Sequence, residues 1–273
     1  MKPPRFDYVR AESRAEVLDV LHEAGGDARV LAGGQSLLPM LNMRLATPAV
    51  LIDITRVPDL DGVGDDGTTI RIGAAVRQSA LGRRLDLAQR QPLLAAALPW
   101  VGHAQTRSRG TICGSIAHAD PSAELPLVLV ALGGSVELRS KRQRRRVAAA
   151  DFFTGMMATG RRDDELIEAV VVPARQPDTG YAFREVARRH GDFAIVACAA
   201  MVSGTQTRLA VSGVADRPAS RALPMDAGLD EALNAFAWEL DARDDLHASA
   251  RYRRELVRRL GRQTIEEARS CRA

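Results

Sequence analysis

Ala32-Gly33-Gly34-Gln35-Ser36-Leu37-Leu38-Pro39-Met40 follows the strand-like run Arg29-Val30-Leu31 and decides how the chain is read. Two adjacent glycines free the backbone to take unusual angles and let a ligand reach the main chain. Ser36 either caps the helix that follows or donates to an oxyanion. Ser36 to Met43 reads as a short helix, with Pro39 in the first turn, where proline is tolerated. Its start then turns free N–H groups toward the glycine loop, which suits an anion. A second small-residue stretch, Gly110-Thr111-Ile112-Cys113-Gly114-Ser115-Ile116-Ala117-His118-Ala119-Asp120-Pro121, lies further along. Thr111 and Ser115 add hydroxyl donors, Gly114 allows close approach, and Asp120 and Glu124 can accept from ribityl or ribose hydroxyls. Two such loops imply one diphosphate-containing cofactor held from two sides.

Better-known anion motifs are absent. No G-x-G-x-x-G opens a helix, no Gly-Lys-Ser/Thr occurs, and there is no Gly-x-Ser-x-Gly elbow. His118 and Asp120 are spaced either for acid–base work or for a simple hydrogen bond. Cys113 is either a redox thiol or a small packed one. The three cysteines, at 113, 198 and 271, form no Cys-x-x-Cys and no zinc or iron–sulfur spacing, so a redox centre here must be organic or belong to a partner.

With 273 residues, 46% of them hydrophobic, the chain can build a substantial core. No apolar run is long enough to span a membrane, and the start Met1-Lys2-Pro3-Pro4-Arg5 lacks a signal-peptide core, so a cytoplasmic protein is expected. Much of the net charge of +4 sits in Arg139-Ser140-Lys141-Arg142-Gln143-Arg144-Arg145-Arg146. Without interleaved aromatics this reads as the solvated tip of a hairpin rather than a nucleic-acid surface.

Along the chain, Phe6–Val9, a helix capped by Ser13, and Arg29–Ala32 read as β-α-β. Strands are expected at Val50–Ile54, Thr69–Gly73 and Glu165–Val172. Helices are expected at Gln78–Leu87, Pro92–Trp100 and Glu124–Leu132. Arg175-Gln176-Pro177-Asp178 has linker composition and marks a domain boundary. Beyond it, three antiparallel strands (Tyr181–Ala187, Phe193–Ser203, Thr207–Val214) precede helices near 228–240, 247–260 and 262–270. Strands followed by helices indicate an α+β class.

These motifs, with Phe183-Arg184-Glu185-Val186-Ala187-Arg188-Arg189-His190-Gly191-Asp192-Phe193-Ala194 as a third, resemble the FAD-binding medium subunit of molybdenum hydroxylases of the carbon monoxide dehydrogenase and xanthine dehydrogenase type. The resemblance covers essentially the whole chain. It implies a two-lobed FAD-binding domain of the vanillyl-alcohol oxidase and p-cresol methylhydroxylase type over 1–175, with lobes at about 1–55 and 56–175. A small C-terminal flavoprotein domain would fill 176–273, with a three-stranded antiparallel sheet and a helical bundle. By the same resemblance Ala32, Gly33, Gly34, Gln35, Ser36 and Leu37 hold the FAD diphosphate. Thr111, Gly114, Ser115, Ala117 and Asp120 belong to the second cofactor loop. Glu124 binds a cofactor hydroxyl, Val101, Gly102 and Ile167 line the flavin site, Arg184 lies near the isoalloxazine, and Asp192 and Phe193 approach it. Cys113 and Ser115 depart from the family, where Gly and Asn or Asp are common.

The resemblance also implies the partners: a small subunit with two [2Fe–2S] clusters and a large molybdenum-cofactor subunit, in a dimer of heterotrimers, with an external electron acceptor. No catalytic side chain and no metal site are expected in this chain. A self-contained FAD oxidoreductase of the same superfamily is the alternative.

Overall fold

The computed structural model describes residues 2–272. Its first lobe is built as expected from a capped helix between strands: β1 (Asp7–Arg10), α1 (Arg14–Ala24) and β2 (Ala28–Leu31). The Ser13 hydroxyl accepts from the Glu16 N–H, and the Glu16 carboxylate reaches back to the Glu12 N–H. Val17, Leu18 and Leu21 bury the inner face of α1. After the glycine loop come α2 (Leu37–Asn42) and β3 (Val50–Asp53), which inserts between the first two strands in a parallel sheet of order β1-β3-β2.

The second lobe begins with β4 (Val63–Asp65) and β5 (Thr69–Gly73). A run of short helices follows: α3 (Gln78–Gly82), α4 (Leu87–Arg90), α5 (Pro92–Ala97), α6 (Ala104–Arg109), α7 (Ile112–His118) and α8 (Glu124–Ala131). The expected helix Gln78–Leu87 is therefore interrupted after Gly82. The expected helix Pro92–Trp100 ends at Ala97, with a tight turn over Leu98–Trp100. Every residue of α8 is buried, as an apolar sequence with no polar face requires.

The remaining elements of this lobe are β6 (Ser135–Arg139), β7 (Arg144–Ala148), α9 (Ala149–Phe152), β8 (Phe153–Gly155), β9 (Ala158–Thr159) and β10 (Leu166–Pro173). Strand β10 runs through the middle of a sheet of order β4-β5-β10-β6-β7.

The basic run is a hairpin, but of its arginines only Arg142 is at the exposed tip. Arg144 to Arg146 lie on β7 and the turn holds only residues 140–143. Their charge is matched from below: Arg71, Arg144 and Arg146 contact Glu137, Arg14 and Arg139 contact Glu168, and Arg145 grips Glu165 at 2.7 Å. These carboxylates are buried, so they need the cations around them.

Beyond the linker, β11 (Gly180–Val186), β12 (Val196–Val202) and β13 (Thr207–Ser212) form the expected antiparallel strands. A fourth, β14 (Ala219–Leu223), extends the sheet to the order β11-β12-β13-β14. Its sequence, Ala-Ser-Arg-Ala-Leu after Pro218, has little intrinsic strand preference and forms a short edge.

Two helices, not three, complete the layer: α10 (Leu229–Glu239) and α11 (Ala250–Ser270). Gly261 does not break α11 but lets it sit close. A Cβ there would lie 2.9 Å from Leu209 Cδ2 and 3.3 Å from Leu233 Cδ2. The alanine-rich β12 is covered on both faces. Val196, Cys198 and Ala200 share a core with α10 and α11, whereas Ala197 and Ala199 join the core built around α8 and α5.

Candidate functional site

A cleft of about 930 Å³ runs between the two lobes and reaches Gly191 and Phe193, in the loop after β11. Its size is at the upper end of small-molecule sites, roughly 300–1,000 Å³. One wall is the glycine loop. Gly34 has φ of +71°, a backbone state that costs most L-residues energy. Gly33 serves a different need. A Cβ there would collide with the Arg109 carbonyl oxygen and sit 2.7 Å from Gly110 Cα. The two small-residue stretches are thus pressed backbone to backbone across the lobe boundary. Ser36, at the head of α2, makes no side-chain cap, so its hydroxyl is free to donate to a ligand oxygen.

The opposite wall was expected to be a loop and is a helix. Thr111 is extended at φ −107° and ψ 156°, and its hydroxyl accepts from the Gly114 N–H at 3.0 Å. That cap starts α7 and so carries Gly114, Ser115, Ala117 and His118 along one cleft wall. The helix ends at Ala119 in the left-handed conformation, and the Ala119 carbonyl accepts from the Met157 N–H at 3.2 Å. The β8–β9 turn is thereby tied over one end of the cleft. Cys113 points inward to the Ile72 and Gly73 carbonyls, and burial pushes its thiol up to about 12. It is the packed thiol of the two readings. Asp120 accepts from the Ser122 N–H at 2.8 Å rather than from His118.

Ala32, Gly33, Gly34, Gln35, Ser36, Leu37, Val101, Gly102, Thr111, Gly114, Ser115, Ala117, Asp120, Glu124, Ile167 and Phe193 all line this one cleft. Two expected residues do not. Arg184 lies on the far face of β11, where its Nε donates to Glu267 Oε2 at 2.6 Å. Strand alternation gives the reason: Phe183 faces the core around α8 and Arg184 therefore faces α11. Asp192 turns to Arg189 at 3.1 Å, although its neighbours Gly191 and Phe193 line the cleft.

Three lining residues carry chemistry that the sequence reading did not single out. Arg29 and Arg161 stand at one end. Burial, then the like charge of Arg29, holds Arg161 below the usual arginine range, so a nearby dianion would relieve both. Arg161 follows Gly160 in a polar turn and had no local signal. Gln78 heads α3 and is buried, with its Oε1 lacking a partner among the described residues. An orphaned acceptor in the cleft wall is a place for a ligand donor.

Glu124, 4% exposed at the head of α8, completes the site. Burial pushes its carboxyl up to about 7, with the charge of Asp120 adding to the shift and Arg107 opposing it. A long cleft with two cations, a free hydroxyl, an orphaned amide oxygen and a buried carboxyl fits FAD. The diphosphate suits the glycine and arginine groups, and the sugar or ring donors suit Gln78 and Glu124.

Residues 4–175 match the FAD binding domain in molybdopterin dehydrogenase, and residues 181–268 match the CO dehydrogenase flavoprotein C-terminal domain. The chain is 38% identical to the 6-hydroxypseudooxynicotine dehydrogenase complex subunit alpha of Paenarthrobacter nicotinovorans, over 98% of this chain and 96% of that one. It is 39% identical to the carbon monoxide dehydrogenase medium chain of Hydrogenophaga pseudoflava, over 79% and 77%. A solved structure of carbon monoxide dehydrogenase from Hydrogenophaga pseudoflava superposes with a TM-score of 0.94 at 33% identity, covering 100% of both chains. Quinoline 2-oxidoreductase from Pseudomonas putida 86 superposes at 0.91 with 32% identity over 99% of both.

Proposed function

The chain belongs to the FAD-binding medium subunits of the molybdenum hydroxylases, of the carbon monoxide dehydrogenase type, and from that membership we propose that it relays electrons. It would take them from [2Fe–2S] clusters of a small subunit and pass them to an external acceptor. The organic substrate would be oxidised on a large molybdenum-cofactor subunit. Bound FAD supplies a centre that accepts electrons singly and releases them singly or as a pair.

The observation that carries the reading is convergence. Cofactor residues expected from three separate stretches, around 32–37, 111–124 and 193, line one cleft. In this reading Ser36 and the glycine-loop N–H groups hold the diphosphate, Arg29 and Arg161 neutralise it, and Glu124 and Gln78 fix its hydroxyls or ring. Residues 1–175 form the FAD-binding domain and 176–273 the C-terminal domain that closes it. Leu45, Met157 and Phe193 line the cleft and are also 69%, 51% and 60% exposed, an apolar rim that suits a covering partner subunit. A cytoplasmic dimer of heterotrimers is the assembly we infer.

The test is an absorption spectrum of the purified chain, identification of the released cofactor, and rapid reduction kinetics with and without the partner subunits. Stoichiometric FAD that substrate reduces only when both partners are present supports the relay. Substrate turnover by this chain alone would replace it with the self-contained oxidoreductase.

A further inference from the structure

The loop that joins β11 to β12 carries Phe193, whose side chain lines the cofactor cleft yet is 60% exposed. The loop is closed at its base by the Ile195 N–H, which donates to the Val186 carbonyl at 2.8 Å. At its far end the Asp192 N–H donates to the Arg189 carbonyl at 3.1 Å, and the Arg189–Asp192 ion pair spans the same turn. These ties are all internal to the hairpin. They shape the loop without fixing where it lies against the second lobe.

A ring contact and a glycine fix that. The His190 ring lies 5.0 Å from the Trp100 ring, inclined at 33°. Trp100 in turn meets the buried Phe183 ring at 6.5 Å. Gly191, at φ +86°, packs on the residues that follow Trp100. A Cβ there would lie 2.7 Å from His103 Cε1 and Nδ1 and 3.0 Å from the Gly102 carbonyl oxygen. The corner that receives the loop is stiff, because the Arg107 guanidinium donates to the Pro99, Val101 and Gly102 carbonyls. Val101, Gly102, Gly191 and Phe193 then line the cleft together.

Among the described residues, no hydrogen bond or ion pair ties loop residues 187–194 to the 99–107 corner. Ring and van der Waals contacts can part without leaving an unpaired polar group buried, so the loop can lift at little cost. His190 itself is exposed and does not line the cleft. Whatever it does for a bound cofactor it does through Phe193.

We propose that His190 is a positioning residue for the flavin: its ring contact with Trp100 pins the loop after β11, which holds Phe193 across the mouth of the cleft and screens the cofactor from dissolved molecules. The inference rests on the FAD reading of the cleft. An aromatic side chain kept in water at the rim of such a cleft is suited to cover a planar ring.

The test is acrylamide quenching of flavin fluorescence in the FAD-loaded full chain, with the chain in excess so that no free flavin contributes. Phe193→Ala should raise the quenching constant. Losing one ring contact shifts an open-to-closed ratio by roughly two- to tenfold, so His190→Ala should raise the constant toward the Phe193→Ala value and not beyond it. The two substitutions combined should match Phe193→Ala alone, because they act through one cover. His190→Phe keeps a ring on Trp100 and should restore the low value. Trp100 is left intact in every variant, since it also packs on Phe183.

Quenching unchanged in Phe193→Ala overturns the proposal and leaves the FAD reading standing. So does His190→Ala that matches the unaltered chain, or His190→Phe that matches His190→Ala. Loss of FAD from His190→Ala while Phe193→Ala retains it would make the loop a cofactor holder rather than a cover, and also overturns it. Failure of the unaltered chain to bind FAD overturns both readings.

Discussion

The two walls of the cleft are made of similar residues and work differently. The Ala32–Leu37 wall is a loop whose geometry depends on missing atoms. Gly33 gives way to the Arg109 carbonyl, Gly34 takes a positive φ, and Ser36 leaves its hydroxyl uncommitted. The Gly110–Asp120 wall is mostly helix, and its geometry depends on an atom that is present, the Thr111 hydroxyl that caps α7. Small-residue composition alone does not distinguish a strained loop from a capped helix. The Thr three residues before Gly114 marks the capped helix, because Thr is a preferred N-cap residue, although Ile112-Cys113-Gly114-Ser115 are weak helix formers.

Breaking the loop wall should have the largest effect. In Gly33→Val the new side chain meets backbone that cannot rotate away, and we expect loss of FAD on gel filtration together with destabilisation of about 3 kcal/mol or more in denaturant melts. Gly34→Ala adds a Cβ only 3.0 Å from the flexible Leu38 side chain, so the left-handed backbone dominates, at about 1–2 kcal/mol. Its FAD affinity should fall by roughly tenfold, measured by fluorescence titration. Thr111→Val keeps the side-chain shape but removes the cap. A loss of about 1 kcal/mol in melting, with FAD still bound, would show that the helical wall tolerates what the loop wall does not. The smallest effect is on Cys113: its buried thiol should resist a thiol reagent at neutral pH in the native chain, while the exposed Cys271 reacts.

The sequence carried the β-α-β opening, because Ser13, Glu16 and the apolar spacing of α1 are local signals. It carried the positions of both cleft walls, because glycine and hydroxyl residues at fixed spacing are local too, but it read the second wall as a loop where the structure has a helix. It did not carry the phase of β11, which decides that Phe183 faces the core around α8 and Arg184 faces α11. A one-residue shift would exchange the two, and only packing against α8 and α11 selects between them. Nor did it carry Arg161, whose role comes from a hairpin folding back over the cleft, or the continuity of α11 through Gly261, where a close neighbour rather than a turn explains the glycine. The arginines of β7 read as solvated because their partners Glu137, Glu165 and Glu168 lie on or beside strands β6 and β10.

The alanines of β12 have a consequence for how this chain comes apart. Ala197 and Ala199 lie in the same apolar cluster as Val128 and Leu132, so the flavin-side core has no surface of its own at that seam. Residues 176–179 look severable on paper, yet a chain cut there would leave each half with a wet apolar face. Cofactor cleft and C-terminal layer are therefore coupled in unfolding: loosening the last helix loosens the sheet against which α8 rests.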